Sequence, residues 1–356
     1  MRLRPIVFRK KSVFSPNLIL PVALPVAICA FMNVRKWLPL LMLVAGIFTR
    51  PAAAAYINGQ RYVPMADWAE KYGYHLARDG KRNSALYTKG ASRVEVEKDS
   101  HTADINGVNV LLSFPVAADK GEFLIAQMDL EKTVEPLLFP WRADDSKITT
   151  ICIDPGHGGK DPGNRYGWRS EKTYTLLVAE ELSRQLKAAG FKTILTRTKD
   201  TFVDLDDRPA LANRSGADLF VSLHFNATAS SRSTVNGAET YCITPVGASS
   251  SNAQGKGATS HSTTANKAET ESLLLAYEVQ KALVNNLGAT DRSVRRARFA
   301  VLRDAKMPAI LVESGYMTHP TEGKKIFSPT YQKQIAAAIV KGILDFQRLT
   351  KPATKK

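Results

Sequence analysis

From residue 149 onward, short apolar runs alternate with longer segments in which apolar residues recur at helical spacing. The apolar runs predict strands at residues 149–153, 192–197, 218–223, 238–243 and 308–313. The amphipathic segments predict helices at residues 171–189, 207–215, 269–287 and 329–347. Strands that alternate with helices are typical of an α/β domain, so residues 149–350 are predicted to form a largely parallel, twisted sheet flanked by helices.

Residues 56–140 follow a different pattern, in which short alternating segments such as SRVEVEK are separated by turn sequences such as INGQ and RDGK. One helical stretch, VPMADWAEKYGY, interrupts them. Alternation of polar and apolar residues between turns is typical of half-buried strands. This region is therefore predicted to be a smaller, mostly-β domain, and the polar stretch WRADDSKI at residues 141–148 is predicted to be a linker.

The first 55 residues are predicted to be a targeting segment. From Met32, the basic residues Arg35 and Lys36 precede an apolar stretch, Trp37 to Phe48, that is too short to span a bilayer, and small alanines then precede Tyr56. This layout is typical of a secretory signal peptide, with translation starting at Met32 and export to the periplasm or cell envelope. The alternative is that residues 1–31 form a membrane hairpin or signal anchor. In both cases, the membrane is contacted only through this segment.

The net charge of +16 is concentrated at the N-terminus, where residues 1–55 hold eight Lys and Arg and no acidic residue. The remaining chain has 41 basic and 33 acidic residues, which makes it moderately basic. A basic surface suits an anionic partner, such as nucleic acid or an acidic cell wall, although it also simply favours solubility. The sequence contains no recognised nucleic-acid-binding motif, so no nucleic-acid partner is predicted.

Ionisable residues follow three of the predicted strands. His157 lies in the turn DPGHGG, His224 follows residues 218–223, Glu313 ends the last strand, and Glu171 begins a helix. Open α/β sheets bind ligands beyond the carboxyl ends of their strands, so we expect these four groups to converge. Any one of them alone is more often a hydrogen-bonding loop residue. Together they favour a site, because two imidazoles and a carboxylate form a catalytic zinc set and leave one carboxylate free as a base.

Several motifs occur in register between residues 149 and 347: DPGHGGKDPGN, LTRTKD, ADLFVSLHFNA, GAETY and PAILVESGYM. With Glu171 between the first two, they resemble the zinc-dependent N-acetylmuramoyl-L-alanine amidases, the family that includes the cell-separation amidases. The resemblance implies one zinc ion bound by His157, Glu171 and His224. It also implies Glu313 as the catalytic residue.

The activity implied by this resemblance is hydrolysis of the amide bond between the lactyl group of N-acetylmuramic acid and L-alanine in peptidoglycan, in cell-wall remodelling or cell separation. A zinc-activated water would attack the carbonyl, and Glu313 would act as the general base. Asp154 and Asn226 adjoin the ligands and are candidates to orient them or to contact substrate. A turn cap and a strand-end hydrogen bond are equally consistent roles for these two residues.

Two other functions stay open at this point. One is a catalytically silent peptidoglycan-binding protein, which the intact set of four residues disfavours. The other is a zinc peptidase that cuts within the stem peptide, because the same metal ligands can serve any amide.

The N-terminal region carries a second resemblance. The segments YINGQRYVP, INGV and LSFPV resemble the small domain found at the N-terminus of some copper amine oxidases. His75 and His101 stand alone in the sequence, so no copper site is predicted. A substrate-binding or scaffolding role is expected, unless the domain only stabilises its neighbour.

Residues 245–268 depart from the pattern of related amidases that carry an inserted helix over the zinc until a partner removes it. This segment is rich in Ser, Thr, Gly, Ala and Asn and contains no Asp or Glu. It has little apolar surface to dock over a cleft. We therefore expect a mobile loop at the rim of the site and no need for an activator protein. Glu269 and Glu271, which follow the segment, are the alternative source of an inhibitory carboxylate.

Overall fold

The strand–helix alternation predicted for the C-terminal region is present in the structure. The structure is a computed structural model and describes residues 54–77, 83–140, 148–253 and 257–351. The predicted targeting segment up to residue 53 and residues 141–147 of the predicted linker lie outside the described residues.

The described C-terminal region has eight strands and six helices. The strands are β10 Thr150–Pro155, β11 Arg165–Tyr166, β12 Arg169–Ser170, β13 Lys192–Leu195, β14 Leu219–Asn226, β15 Ala238–Cys242, β16 Asp291–Arg296 and β17 Ala309–Tyr316. The helices are α4 Glu171–Ala188, α5 Asp207–Arg214, α6 Glu269–Leu287, α7 Ala300–Arg303, α8 Glu322–Ile326 and α9 Pro329–Thr350. Short 3₁₀ turns lie at Ser251–Ala253 and Thr264–Ala268.

The N-terminal region is mostly β, as predicted. Its strands are β1 Ala55–Ile57, β2 Gln60–Pro64, β3 His75–Ala77, β4 Ser84–Lys89, β5 Ser92–Glu97, β6 Thr102–Ile105, β7 Val108–Leu111, β8 Ala117–Asp119 and β9 Glu122–Ala126. Its helical segments are α1 Met65–Tyr72, α2 Gln127–Asp129, a π-helical turn at Leu130–Val134 and α3 Glu135–Leu138.

The central strands β13, β10, β14 and β17 run parallel, in that order across the sheet. The predicted class, a largely parallel sheet flanked by helices, is therefore confirmed. Strand β15 is an exception, because it pairs antiparallel with β17. The connection from β14 to β15 contains no helix, so the chain turns back at the carboxyl edge and enters the sheet in the opposite direction.

The two faces of the central strands contribute to separate apolar clusters. Ile151 and Ile153 belong to the large core that includes residues of α4, α6 and α9, whereas Cys152 and Phe220 belong to a smaller cluster with residues of α5 and α7. Alternation along a strand produces this division, since successive side chains point to opposite faces. Helices α6 and α9 approach closely at Gly342, where an added Cβ would lie 2.5 Å from the Cα of Val279.

The N-terminal region joins the same sheet. Strand β7 pairs in parallel with β16, with Val110 opposite Val294, so one sheet of eleven strands runs from β13 to β3. The junction is reinforced by the backbone N–H of Asn109, which donates to the Asp291 carboxylate at 2.7 Å. The Tyr277 hydroxyl of α6 also donates to a carbonyl oxygen of β6, 2.8 Å away. The sheet therefore crosses from residues 56–140 into residues 149–350 without a break in strand pairing.

Across residues 54–77, 83–140, 148–253 and 257–351, no helix is long and apolar enough to cross a membrane.

Candidate metal centre

Three parallel strands deliver the candidate residues to one edge of the sheet. Strands β10, β14 and β17 are neighbours, and their register places His224 directly opposite Glu313. His157 lies in the turn that follows β10, and Glu171 is the first residue of α4. One possible ligand atom each from His157, Glu171 and His224 lies within 4.8 Å of the other two. Within the described residues, this is the one group of His, Cys, Asp and Glu side chains with spacing suited to a metal ion.

Glu171 is the buried centre of this group. Its Oε1 lies 3.0 Å from Nδ1 of His224 and accepts a hydrogen bond from the backbone N–H of Phe225. Its Oε2 lies 3.1 Å from Nε2 of His157 and accepts from the backbone N–H of Asn164. Burial would raise the pKa of Glu171, but the hydrogen bonds and charges of the two histidines outweigh it and lower the pKa below its ordinary range. The carboxylate is therefore ionised, with both oxygens fixed in orientation.

His157 is oriented from its other side by Asp161. The Nδ1 atom of His157 lies 2.8 Å from the Asp161 carboxylate, which also accepts from the backbone N–H of Gly163. Burial lowers the pKa of His157, but its contacts with Glu171 and then Asp161 outweigh burial and raise it. Histidines that bind metals usually contact a carboxylate through the ring nitrogen that does not bind the metal. Here Asp161 contacts Nδ1, so Nε2 of His157 faces Glu171. Sequence reasoning missed Asp161, although it stands four residues after His157 in the same Gly-rich turn.

The turn after β10 is shaped to fit the imidazoles. His157 itself has a φ of 64°, a left-handed conformation that is uncommon for residues other than glycine. At Gly163, with a φ of 62°, an added Cβ would lie 2.6 Å from the His157 ring and 2.7 Å from Oε2 of Glu171. At Gly156, it would lie 2.3 Å from the His224 ring. These two glycines therefore leave the space that the group occupies.

Glu313 lines the same cleft, which has a volume of about 370 Å³ and a wall that includes Leu205, Phe299 and Val301. The Oε2 atom of Glu313 is buried and has no hydrogen-bond partner among the described residues. Burial, and then the charges of Glu171 and Glu239, raise the pKa of Glu313 well above its ordinary value. A buried carboxyl oxygen without a partner, beside a group of ligand type, is suited to exchanging a proton with a bound molecule.

Asp154 and Asn226 lie beside the group but contact other residues. The Asp154 carboxylate is fully buried and accepts hydrogen bonds from Thr196, Ser222 and Arg208. The Asn226 side chain donates to Glu239 at 2.7 Å. Both residues brace the strand ends that carry the histidines.

Two buried arginines fix the turn that carries His157. Arg208 donates to the Asp154 carboxylate at 2.8 Å and to the carbonyl oxygens of Pro155 and His157 at 3.0 Å. Arg197 donates to the carbonyls of Pro155 and Gly156, at 2.9 Å in each case. The guanidinium groups thus satisfy backbone acceptors that the strand leaves unpaired where it ends.

Replacing Arg208 with methionine is expected to destabilise the protein by about 3–5 kcal/mol, because the buried Asp154 carboxylate loses its cation. The matched control is Arg303→Met. Arg303 lies 3.9 Å from Asp206 in an exposed pair, whose loss should cost about 1 kcal/mol or less. Urea unfolding of both variants measures the difference, and equal losses would show that the buried pair does not support the turn.

Residues 245–253 and 257–268 are the described part of the segment that is expected to be a mobile loop at the rim of the site. The guanidinium of Arg298 donates to the carbonyl oxygens of Pro245 and Ala248, at 2.9 and 2.7 Å. Glu269 forms an ion pair of 2.7 Å with Lys132 of the N-terminal region. The described residues of this segment, 245–253 and 257–268, are not among those that line the cleft. The composition of the segment does not reveal these contacts with Arg298, and the mobility of the segment stays a prediction.

Comparison with known proteins places these features in a family. The model of the N-acetylmuramoyl-L-alanine amidase family matches residues 151–345, and that of the copper amine oxidase N-terminal domain matches residues 44–134. The chain is 35% identical over 199 residues to the N-acetylmuramoyl-L-alanine amidase LytC of Bacillus subtilis. The matched residues make up 56% of this chain and 36% of LytC. It is also 32% identical over 239 residues to the N-acetylmuramoyl-L-alanine amidase AmiC of Neisseria meningitidis. This match covers 61% of this chain and 56% of AmiC.

A solved N-acetylmuramoyl-L-alanine amidase from Clostridium difficile 630 is 36% identical and has a TM-score of 0.48, covering 57% of this chain and 98% of that one. The chain spans less than two thirds of the length of LytC and of AmiC. The family match itself extends from the second residue of β10 into α9 and so includes every residue of the candidate metal centre. This chain therefore belongs to the N-acetylmuramoyl-L-alanine amidase family.

Proposed function

We propose that the protein is a zinc-dependent amidase that hydrolyses the bond between the lactyl group of N-acetylmuramic acid and L-alanine in peptidoglycan, in cell-wall remodelling or cell separation. The observation that carries the proposal is the convergence of His157, Glu171 and His224 beside the unpartnered carboxyl of Glu313, in one cleft of a chain from this family.

The donor set fits one zinc ion. Two imidazole nitrogens and a carboxylate oxygen are donors that zinc accepts, and three protein ligands leave a position open in a catalytic site. His157, Glu171 and His224 would hold the ion, with Asp161 orienting His157. When bound, zinc supplies Lewis-acid chemistry that makes a water nucleophilic near neutral pH and polarises a carbonyl.

Glu313 supplies the proton transfers in this proposal. Its carboxylate accepts a proton from the attacking water and returns that proton to the nitrogen of L-alanine as the amide bond breaks. The raised pKa of Glu313 arises from burial and from the nearby negative charges of Glu171 and Glu239. His157, Glu171 and His224 would hold a divalent cation next to Glu313, and its charge would favour the ionised base.

The chain organisation is part of the proposal. Residues 56–140 form a domain that resembles the copper amine oxidase N-terminal domain and supports the catalytic domain, residues 149–350, through the β7–β16 pairing. The partner is peptidoglycan, with no nucleic acid and no activator protein. Peptidoglycan lies outside the cytoplasmic membrane, so we place the protein in the periplasm or cell envelope, reached through the targeting segment. N-terminal sequencing of the exported protein, expected to begin near Tyr56, tests that route.

Mass analysis of products from purified peptidoglycan tests the reaction. We expect glycan strands that retain the lactyl group and stem peptides that begin with a free L-alanine amine, produced by the purified protein without any added protein. Fragments cut inside the stem peptide would instead identify a zinc peptidase. Binding without any product would identify a catalytically silent wall-binding protein, and a requirement for a second protein would contradict activator independence.

A further inference from the structure

An exposed tryptophan lies on a hairpin whose base contributes to the cleft. Strands β11 and β12 form a two-stranded hairpin that pairs with no other described strand, and Trp168 at its turn exposes 81% of its surface. The base of the hairpin is part of the metal centre. Asn164 precedes the hairpin and lines the cleft, and Glu171 follows the hairpin directly. The backbone N–H of Glu171 donates to the carbonyl oxygen of Asn164 at 2.8 Å. A large exposed ring at such a position is the kind of surface that partners contact.

The indole is held in place by a stack of side chains. The guanidinium of Arg169 lies 4.5 Å from the ring of Trp168 and 4.5 Å from the ring of Phe327. Tyr166, on the other strand of the hairpin, stacks on Phe327 with an angle of 19° between the rings. Phe327 in turn packs against Tyr174 of α4, at 4.7 Å. Arg169 thus contacts the exposed indole and is itself supported by Phe327, which restricts the ring before any ligand arrives and lowers the entropy lost on binding.

The hairpin keeps the backbone of Trp168 close to the cleft that would hold the substrate of the proposed reaction. Two residues lie between Trp168 and Glu171, so the Cα atoms of these two residues are at most about 11 Å apart. Peptidoglycan is a polymer, and the sugars on either side of the muramoyl unit being cut must lie beside the cleft. A stem peptide is a poorer match for the hairpin, because strands of two residues offer too short an edge for an extended chain to pair with.

We propose that Trp168 binds a sugar ring of the glycan strand next to the muramoyl unit whose amide is cut. This inference rests on the proposed function. One face of a pyranose ring presents C–H groups, and the face of an indole carries the negative lobe of its quadrupole, so the two surfaces are complementary. Trp168 is then a residue that positions the polymer along the cleft, and it takes no part in the chemical step.

Binding of peptide-free glycan tests this directly. The probe is a short strand of alternating N-acetylglucosamine and N-acetylmuramic acid without peptide, titrated calorimetrically into the full chain. We expect Trp168→Ala to weaken binding about tenfold, as loss of an aromatic anchor does, and Trp168→Tyr to retain most of the affinity. The control is Leu344→Ala, which removes an apolar side chain, 40% exposed, from the surface of α9. This measurement needs no hydrolysis, so it stands even if the proposed reaction is wrong.

Kinetics provide the second readout. With polymeric peptidoglycan, Trp168→Ala should raise KM about tenfold and leave kcat unchanged. With a single muramoyl peptide, which has no neighbouring sugar, both constants should equal those of the wild type. Equal affinity of wild type and Trp168→Ala for the glycan would overturn the proposal. The proposal would also be overturned if Trp168→Ala lost binding to free stem peptide or to anionic phospholipid vesicles while its glycan binding stayed unchanged.

Discussion

Replacing Glu313 with glutamine should lower turnover of peptidoglycan by about 10²–10⁴-fold, the usual contribution of a general acid–base group. Glutamine keeps the size of the side chain but cannot accept the proton of the attacking water. The effect on the fold should be small, because the Oε2 atom of Glu313 makes no hydrogen bond to the described residues that the variant could lose. Bound zinc should also remain, since His157, Glu171 and His224 are unchanged.

Three measurements on the same preparation separate these effects: kcat, zinc content and Tm. The control is Glu180→Gln, the same chemical change on the exposed surface of α4, which should leave all three values at those of the wild type. A Glu313→Gln variant within a few-fold of the wild-type rate would show that another group serves as the base. A variant that loses zinc in parallel with activity would assign Glu313 to metal binding.

Removing zinc should abolish hydrolysis, and one equivalent of added zinc should restore it. The His224→Ala variant is expected to behave like the metal-free protein even when zinc is supplied. Loss of an outer partner of a metal ligand typically costs 10–100-fold in affinity or activity, and loss of a ligand itself should cost more. The His224→Ala variant loses a ligand nitrogen and also the contact of 3.0 Å between Nδ1 of His224 and Oε1 of Glu171.

His261→Ala is the control for this experiment. His261 is exposed and interacts with Thr259 in the segment that lies apart from the cleft wall, so its removal should change neither zinc content nor rate. Full activity of the chelated protein would refute the zinc mechanism. A loss of zinc in the His261 variant would instead bring that segment into the metal site.

Much of the C-terminal fold could be predicted because short apolar runs alternate with longer segments of helix-forming sequence. Helix α6 occupies the predicted residues 269–287, and α4 ends one residue before the predicted 189. Strand β16 was not predicted, since DRSVRR has no apolar alternation. It becomes a strand through its neighbours, because it lies between β15 and β7 and the Arg295 side chain is neutralised by Glu239 at 2.9 Å. Tertiary context overrides propensity in such a segment.

Some residues of the candidate site could also be predicted from the sequence, whereas others could not. His157, Glu171, His224 and Glu313 could be selected because each lies at or just beyond the end of a predicted element that faces the same edge. In the structure, β14 continues two residues beyond His224 and β17 three residues beyond Glu313. The contacts that support them are less visible in sequence. Arg208 meets Asp154 across 54 positions of the chain, and nothing local indicates that an arginine on a surface-like helix is buried. Long-range pairing of charges depends on the packed structure, so it lies beyond what periodicity and spacing reveal.

The shared strand between the N-terminal region and the amidase region limits how such chains can be recombined in evolution. Domains joined by a flexible tether can be exchanged freely, whereas here β16 takes its outer neighbour from β7. Any replacement for the N-terminal region must offer a strand in the same direction and register, or leave the backbone of β16 open to pairing with other chains. Inheritance of the two regions as a single block is the arrangement that avoids this hazard.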